Sequence, residues 1–208
     1  MNTIKYSIRL VSDAMLSSGM GTELIDSLVT RGLDGQPILK GSHIKGIMRQ
    51  TISDAVSLLG YPNLTIVRNV YGSFVEDPVS TSGIISVSDC SVIDKREKVK
   101  TITVTKTKVG KSGVADNGSL RSTEMIPGGT VFGGQCRIRA AVNSPEDLAV
   151  RFSLLALDAV GGSRSRGSGQ CIVEIEDENR TVGEILVKLE SMLRDGIDKR
   201  EYTVKHRL

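Results

Sequence analysis

Ile4, Tyr6, Ile8 and Leu10 alternate with Lys5, Ser7 and Arg9, a period of two that predicts an opening strand of about ten residues with one buried face. From Ser17 to Gly35 that regularity stops. Gly19, Gly21, Gly32, Gly35 and the polar residues between them predict a long connection, and connections of this length in compact domains are functional or mobile. Ile44, Ile47, Met48, Ile52, Ala55, Val56 and Leu59 then recur at helical spacing, predicting a helix from Ser42 to about Leu59, capped by Ser42 and stopped by Gly60 and Pro62. Residues 61–82 read as irregular. Gly83 to Cys90 alternates again as a second strand, and Thr130 to Val142 reads as a third. Ser144 caps the next helix, with Pro145 in its first turn and Glu146 and Asp147 near its positive end; Leu148 to Val160 is apolar over most of its surface, so that helix should be buried. Gln170 to Ile175 predicts a fourth strand, Val182 to Leu193 a last amphipathic helix, and the charged tail from Arg194 a loose end.

Strand, helix, strand, strand, helix, strand is the order of a ferredoxin-like (RRM-like) α+β sandwich, βαββαβ, and the 208 residues fit one domain with insertions, 1–208. Between the second and third strands, residues 101–109 favour β structure but are too rich in threonine and lysine for a core strand. They predict one arm of a projecting hairpin, a thumb inserted at about 94–127, with Gly110, Gly113, Asn117 and Gly118 at its tip.

Charge alters this picture locally. Twenty-seven lysines and arginines against 24 acids leave a net charge of only +3, so any footing for nucleic acid must come from clustering. Lys95, Arg96, Lys98, Lys100, Lys106, Lys108 and Lys111 cluster in this way, with Glu97 the one acid among them. Aromatic residues make up 3% of the chain and tryptophan is absent, which argues against bases stacking on the sheet. Recognition would run instead through ribose and phosphate, sequence-tolerant and salt-sensitive. The three cysteines, Cys90, Cys136 and Cys171, form no Cys-x-x-Cys pair, so they predict buried thiols in a reducing cytosol rather than a zinc cluster. The N-terminus lacks the apolar block of a secretory signal and no run is long enough to span a membrane; a cytoplasmic protein is expected.

Two stretches carry candidate chemistry. Pro37 to Arg49 (Pro-Ile-Leu-Lys-Gly-Ser-His-Ile-Lys-Gly-Ile-Met-Arg) opens the first helix, with Ser42 and open backbone amides at its start and Lys45 and Arg49 four residues apart on one face. That suits an anion, although a capped amphipathic helix with two solvated cations would look the same. Gly161 to Gly169 (Gly-Gly-Ser-Arg-Ser-Arg-Gly-Ser-Gly) places two arginines among seven glycines and serines. It leaves a helix and enters a strand, the reverse of a nucleotide-binding loop, and has no Gly-Lys-Ser/Thr, which excludes nucleotide hydrolysis. It reads either as a flexible connector or as amides and guanidiniums wrapping a phosphodiester.

Together with Leu24-Ile25-Asp26-Ser27, Tyr71-Gly72-Ser73 and Glu124-Met125-Ile126-Pro127-Gly128-Gly129, these stretches resemble the RAMP superfamily of CRISPR-associated proteins. Within it the chain looks like the repeated backbone subunit of type III (Csm/Cmr) effector complexes. The resemblance implies the same ferredoxin-like core with a thumb. It implies Ser42, His43, Lys45, Arg49, Arg164, Arg166 and Gly167 against guide RNA, and the thumb, with Lys106, Lys108 and Lys111, across the guide–target duplex. Val114, Leu120 and Met125 are candidate apolar wedges there. Asp26 matches the family aspartate that cuts target RNA; its carboxylate would hold a divalent ion, magnesium or manganese, shared with RNA oxygens and water, helping to activate a ribose 2′-hydroxyl. The implied partners are guide RNA, target RNA, further copies of the chain in a filament and other type III subunits. Leu28 stands where the family commonly has proline, His43 where it often has a small residue, and no histidine lies in the first loop. These departures keep open a structural RAMP subunit that binds guide RNA without cutting. With His43 at a helix start and His206 in the tail, guide-processing relatives that use histidine acid–base chemistry fit poorly.

Overall fold

The computed structural model describes residues 1–60, 65–73, 80–94, 97–107 and 119–205. Its main sheet is built on β1 (Asn2–Leu10), which pairs antiparallel with β7 (Val131–Ile138) on one side and β8 (Cys171–Ile175) on the other. The outer edge of β7 pairs with β3 (Ile85–Val87) and β4 (Cys90–Val92), and β4 in turn with the two-residue β2 (Ile38–Leu39). With β3 and β4 taken as one interrupted strand, this is the expected ferredoxin-like order.

The alternation in β1 is obeyed: Ile4, Tyr6, Ile8 and Leu10 are buried while Lys5 and Arg9 are exposed. Against the buried face lie α1 (Gly41–Leu58), α2 (Thr65–Tyr71) and α3 (Pro145–Leu155), with α4 (Val182–Lys205) on α3. Ile44, Met48 and Ile52 of α1 and Leu148 and Leu154 of α3 are fully enclosed with Ile8 and Phe132, each contributing roughly 2–3 kcal/mol by leaving water. Ser144 caps α3 as expected, its side chain accepting from the Asp147 amide at 3.3 Å. Cys90, Cys136 and Cys171 are free and buried in β4, β7 and β8, and burial raises their thiols to about 11, 12 and 11. Among the described residues no helix is long and apolar enough to cross a membrane.

Four elements differ from the sequence reading. The span read as irregular contains α2, whose Ile66, Val67, Val70 and Tyr71 are buried; four β-branched residues in seven hide its helical period. The second strand is broken, because the pairing with β7 advances by one residue between Val87 and Ser91, a β-bulge at Ser88–Asp89. Ser42 is not the cap of α1: the helix begins at Gly41 with Lys40 as its boundary and no side-chain cap of its own. Finally, α4 continues to Lys205 instead of ending near Leu193.

The thumb arms are β5 (Ile102–Lys106) and β6 (Arg121–Met125), which pair with each other as a separate two-stranded sheet. Residues 108–118, including Lys108, Lys111, Val114 and the glycine-rich tip, lie outside the described residues.

Candidate functional site

The start of α1 is built by the bulge beneath it. A Cβ on Gly41 would sit 2.4 Å from the Val87 carbonyl oxygen and 2.7 Å from that of Ser88, so only glycine lets the helix touch the strand here. The bulge also turns Asp89 towards the helix. Its Oδ1 accepts the Gly41 amide at 2.8 Å and its Oδ2 takes Lys40 Nζ at 2.9 Å, and these bonds lower its carboxyl below the ordinary range. The anion at this helix terminus is therefore the protein's own, and Ser42 stands exposed beside it.

His43 joins the two candidate stretches. Its Nε2 accepts the Gly161 N–H at 2.9 Å, and burial, helped by the nearby charge of Arg164, lowers its pKa. Two residues on, about 200° around the helix axis, Lys45 is partly buried; that burial and the charge of Arg49 lower its pKa. Arg49 donates to the carbonyls of Gly72 and Ser73 at 3.2 and 2.9 Å, pinning the turn after α2. The residues of the first stretch thus divide: His43 faces the arginine loop, while Lys45 and Arg49 form a stripe of which Arg49 is engaged with backbone.

The arginine loop is folded rather than slack. Gly161 is left-handed at φ 85°, and a Cβ there would meet the Met15 carbonyl oxygen at 2.5 Å. Gly162 N–H donates to that same carbonyl at 2.9 Å, and Gly169 N–H donates to Asp13 at 2.8 Å. Ser12 Oγ donates to the Gly167 carbonyl at 2.7 Å and Ser168 Oγ to the Asp13 carbonyl at 2.9 Å. Between these ties Arg164–Arg166 forms one 3₁₀ turn closed by Gly167 at φ 79°. Most amides of the loop are spent internally, so the surface it offers is chiefly that of the two exposed guanidiniums.

Across from it stands the thumb. Lys106, Thr107, Arg121 and Thr123 share with Ser163, Arg166 and Ser168 an open groove of about 550 Å³ floored by Met15, Val104 and Met125. Lys106 and Arg121 are cross-strand partners, so two thumb cations and one loop cation border one trough. Met125 is 8% exposed at the thumb root, which removes it as a projecting wedge, while Leu120 is 66% exposed.

Asp26 is held against β6 further out, at Ser122, which pairs with Thr105 beside the Lys106–Arg121 pair. Its N–H donates to the Ser122 carbonyl at 2.9 Å, and its Oδ2 accepts the Ser122 amide at 2.7 Å. The loop carrying it is fixed by Glu124, a carboxylate that burial alone would raise but that hydrogen bonds from Thr101, the Val29 amide and Arg31 hold below the ordinary range. Asp26 could offer its second oxygen to a cation. Among the described residues no group of three His, Cys, Asp or Glu side chains is arranged to hold a metal, so an ion at Asp26 would need most of its ligands from phosphate oxygens and water.

Sequence reasoning missed Asp89, Arg31, Glu124 as a clamp, and Arg121. Only Arg121 carried a usable signal, since pairing the predicted hairpin arms sets it opposite Lys106.

A model of the RAMP superfamily matches residues 7–172. No curated protein matches the chain in sequence. Among solved structures, a chain of a Type IV-B CRISPR complex superposes with a TM-score of 0.63 at 18% identity, covering 86% of this chain and 92% of that one. A chain of the Type III-B Cmr-beta complex in its apo state gives 0.67 at 12% identity, covering 85% and 98%. A chain of Type III-B Cmr-beta bound to cognate target RNA gives 0.65 at 13% identity, covering 89% and 99%. These likenesses are of fold. With the family match spanning most of its length, the chain belongs to the RAMP superfamily.

Proposed function

We propose that this chain is a guide-RNA-binding backbone subunit of a type III CRISPR effector complex, cytoplasmic and stacked in several copies, and that Asp26 is the residue through which it cuts complementary target RNA. The observation that carries the reading is the trough between thumb and arginine loop, bordered by Lys106, Arg121 and Arg166, with Asp26 fastened to Ser122 of the same thumb arm, next to Arg121. Cations on facing walls grip a sugar-phosphate strand without reading its bases, which suits a subunit that must accept any guide. Complexes of the kinds named above contain chains of this fold, one of them bound to cognate target RNA.

In this reading Ser42, His43, Lys45, Arg49, Arg164, Arg166 and Gly167 lie towards guide RNA, Arg49 and His43 through the backbone they hold. Lys106, Lys108 and Lys111 belong to the thumb that crosses the duplex. Asp26 would hold magnesium or manganese together with RNA oxygens; when bound, the ion supplies charge to a developing oxyanion. Asp26 itself would contribute a carboxylate fixed through Oδ2 to the Ser122 amide.

A second reading, a structural subunit that binds guide RNA without cutting, is favoured by the sparse ligand set, one exposed carboxylate with one oxygen engaged. Reconstitution with guide and matching target decides between them. The parent should release target fragments at regular spacing in the presence of magnesium or manganese. Asp26→Asn should bind guide equally and release none. Guide binding by the parent with no cleavage under either ion selects the second reading, and cleavage by Asp26→Asn refutes the assignment.

A further inference from the structure

We propose that His43 is a positioning residue: its Nε2 latches the arginine loop onto the first turn of α1, and the chain's grip on RNA depends on that latch. The inference rests on the RNA-binding reading above. Gly161, the first residue of the loop, has no side chain with which to anchor itself, and its left-handed backbone packs so tightly on Met15 that none could be added. From Gly162 to Gly169 the loop is tied to the segment leaving β1, through Ser12, Asp13 and Met15. The tie to α1 is the Gly161 N–H donated to His43 at 2.9 Å, between residues 118 apart in sequence. Arg164 and Arg166 ride on the turn that this bond steadies.

An imidazole nitrogen accepts a hydrogen bond only when it carries no proton, so the latch requires neutral His43. Its surroundings favour that form. His43 lines a pocket of about 290 Å³ with Met15, Leu16, Ser17, Lys40 and Gly161, and none of the described residues lining it is acidic. Arg164 and Lys40 are the cations facing it, and Asp89 is already engaged by Lys40 and the Gly41 amide. The pKa of His43 is lowered from 6.5, so the latch is fully present above that value and is lost as pH falls through the lowered one. Acid ordinarily strengthens RNA binding by adding positive charge. Here it should weaken it.

The test measures binding of a labelled single-stranded RNA to the full chain from about pH 8 to about pH 5, alongside exchange of the Gly161 amide by NMR, for the parent, His43→Gln and His43→Ala. A glutamine oxygen reaches the Nε2 position and cannot be protonated in this range. The parent should weaken on acidification. His43→Gln should bind like the parent at high pH and hold its affinity as pH falls, while His43→Ala should bind about three- to tenfold more weakly at high pH. Gly161 should be protected in the parent and His43→Gln but exposed in His43→Ala. Parent binding that tightens with acid, or a His43→Ala variant that matches the parent in affinity and protection, overturns the proposal. If no variant binds RNA in a salt-sensitive way the RNA reading fails, and the exchange result still decides the latch: protection unchanged in His43→Ala rejects it, and protection lost supports it.

Discussion

Glu124 is the residue on which the geometry around Asp26 turns. Its carboxylate is 9% exposed and collects donors from three stretches: the Val29 amide, Arg31 and Thr101. A buried acceptor with several donors is expensive to alter, because each donor it abandons stays out of water. Glu124→Gln replaces one acceptor oxygen with an amide that repels the donors facing it and removes the charge paired with Arg31. We expect a loss of about 2–3 kcal/mol at neutral pH, read from denaturant midpoints at constant slope. The sign with pH follows from the lowered carboxyl. Its stabilisation is present above the ordinary 4.5 and is lost as pH falls through the folded value, so parent and variant should converge in acid. A difference that persists unchanged well below that window would mean that the charge of Glu124 is not what the variant removes. None of this was legible in the sequence, where Glu124 is one acid in a motif and its donors lie as far as 95 residues away.

At the scale of elements, two glycines of α1 separate helix propensity from packing. Gly41 and Gly46 lie five residues apart in one helix, and in isolation both should gain from alanine. A Cβ on Gly46 meets nothing within 4 Å, whereas one on Gly41 meets the backbone of Val87 and Ser88 below 3 Å. Gly46→Ala should therefore stabilise by about 0.5–1 kcal/mol, and Gly41→Ala should destabilise by about 1–3 kcal/mol as the helix is pushed from the bulge. Thermal unfolding of the two variants checks the opposite signs; a shared sign would show that α1 does not rest on β3 as described. The same pair of elements explains what could be read in advance. The stripe Ile44, Ile47, Met48, Ile52 and Val56 announces α1 because period is a property of one segment. The cap at Asp89, the broken strand and β2 depend on pairing between segments, so Ser42 looked like the cap although another element supplies it. Helix α2 was hidden for a different reason: its seven residues are too few to display a period against β-branched Thr65, Ile66, Val67 and Val70.

For the whole molecule, the question is how a net charge of +3 can hold a polyanion. The trough answers it by collecting cations from distant segments, Lys106 and Arg121 from the thumb and Arg166 from the loop, with no acid among the described residues of its lining. The sequence displayed the thumb lysines and the arginines separately; pairing the hairpin arms sets Arg121 opposite Lys106, but their meeting with Arg166 depends on the turn at Arg164–Arg166, which no local pattern encodes. If each of the three cations neutralises one phosphate, each contributes about 0.7 to the slope of log affinity against log salt for a single strand. Lys106→Gln, Arg121→Gln and Arg166→Gln combined should therefore lower that slope by about 2 and weaken binding to unrelated RNA sequences alike. Exposed Lys5, which pairs with Glu176 and is not among the residues lining the trough, serves as the control, and Lys5→Gln should leave the slope within error. Equal slopes for parent and triple variant would place the strand elsewhere on the molecule. A drop confined to one RNA sequence would mean that the trough reads bases, contrary to the backbone grip that its chemistry implies.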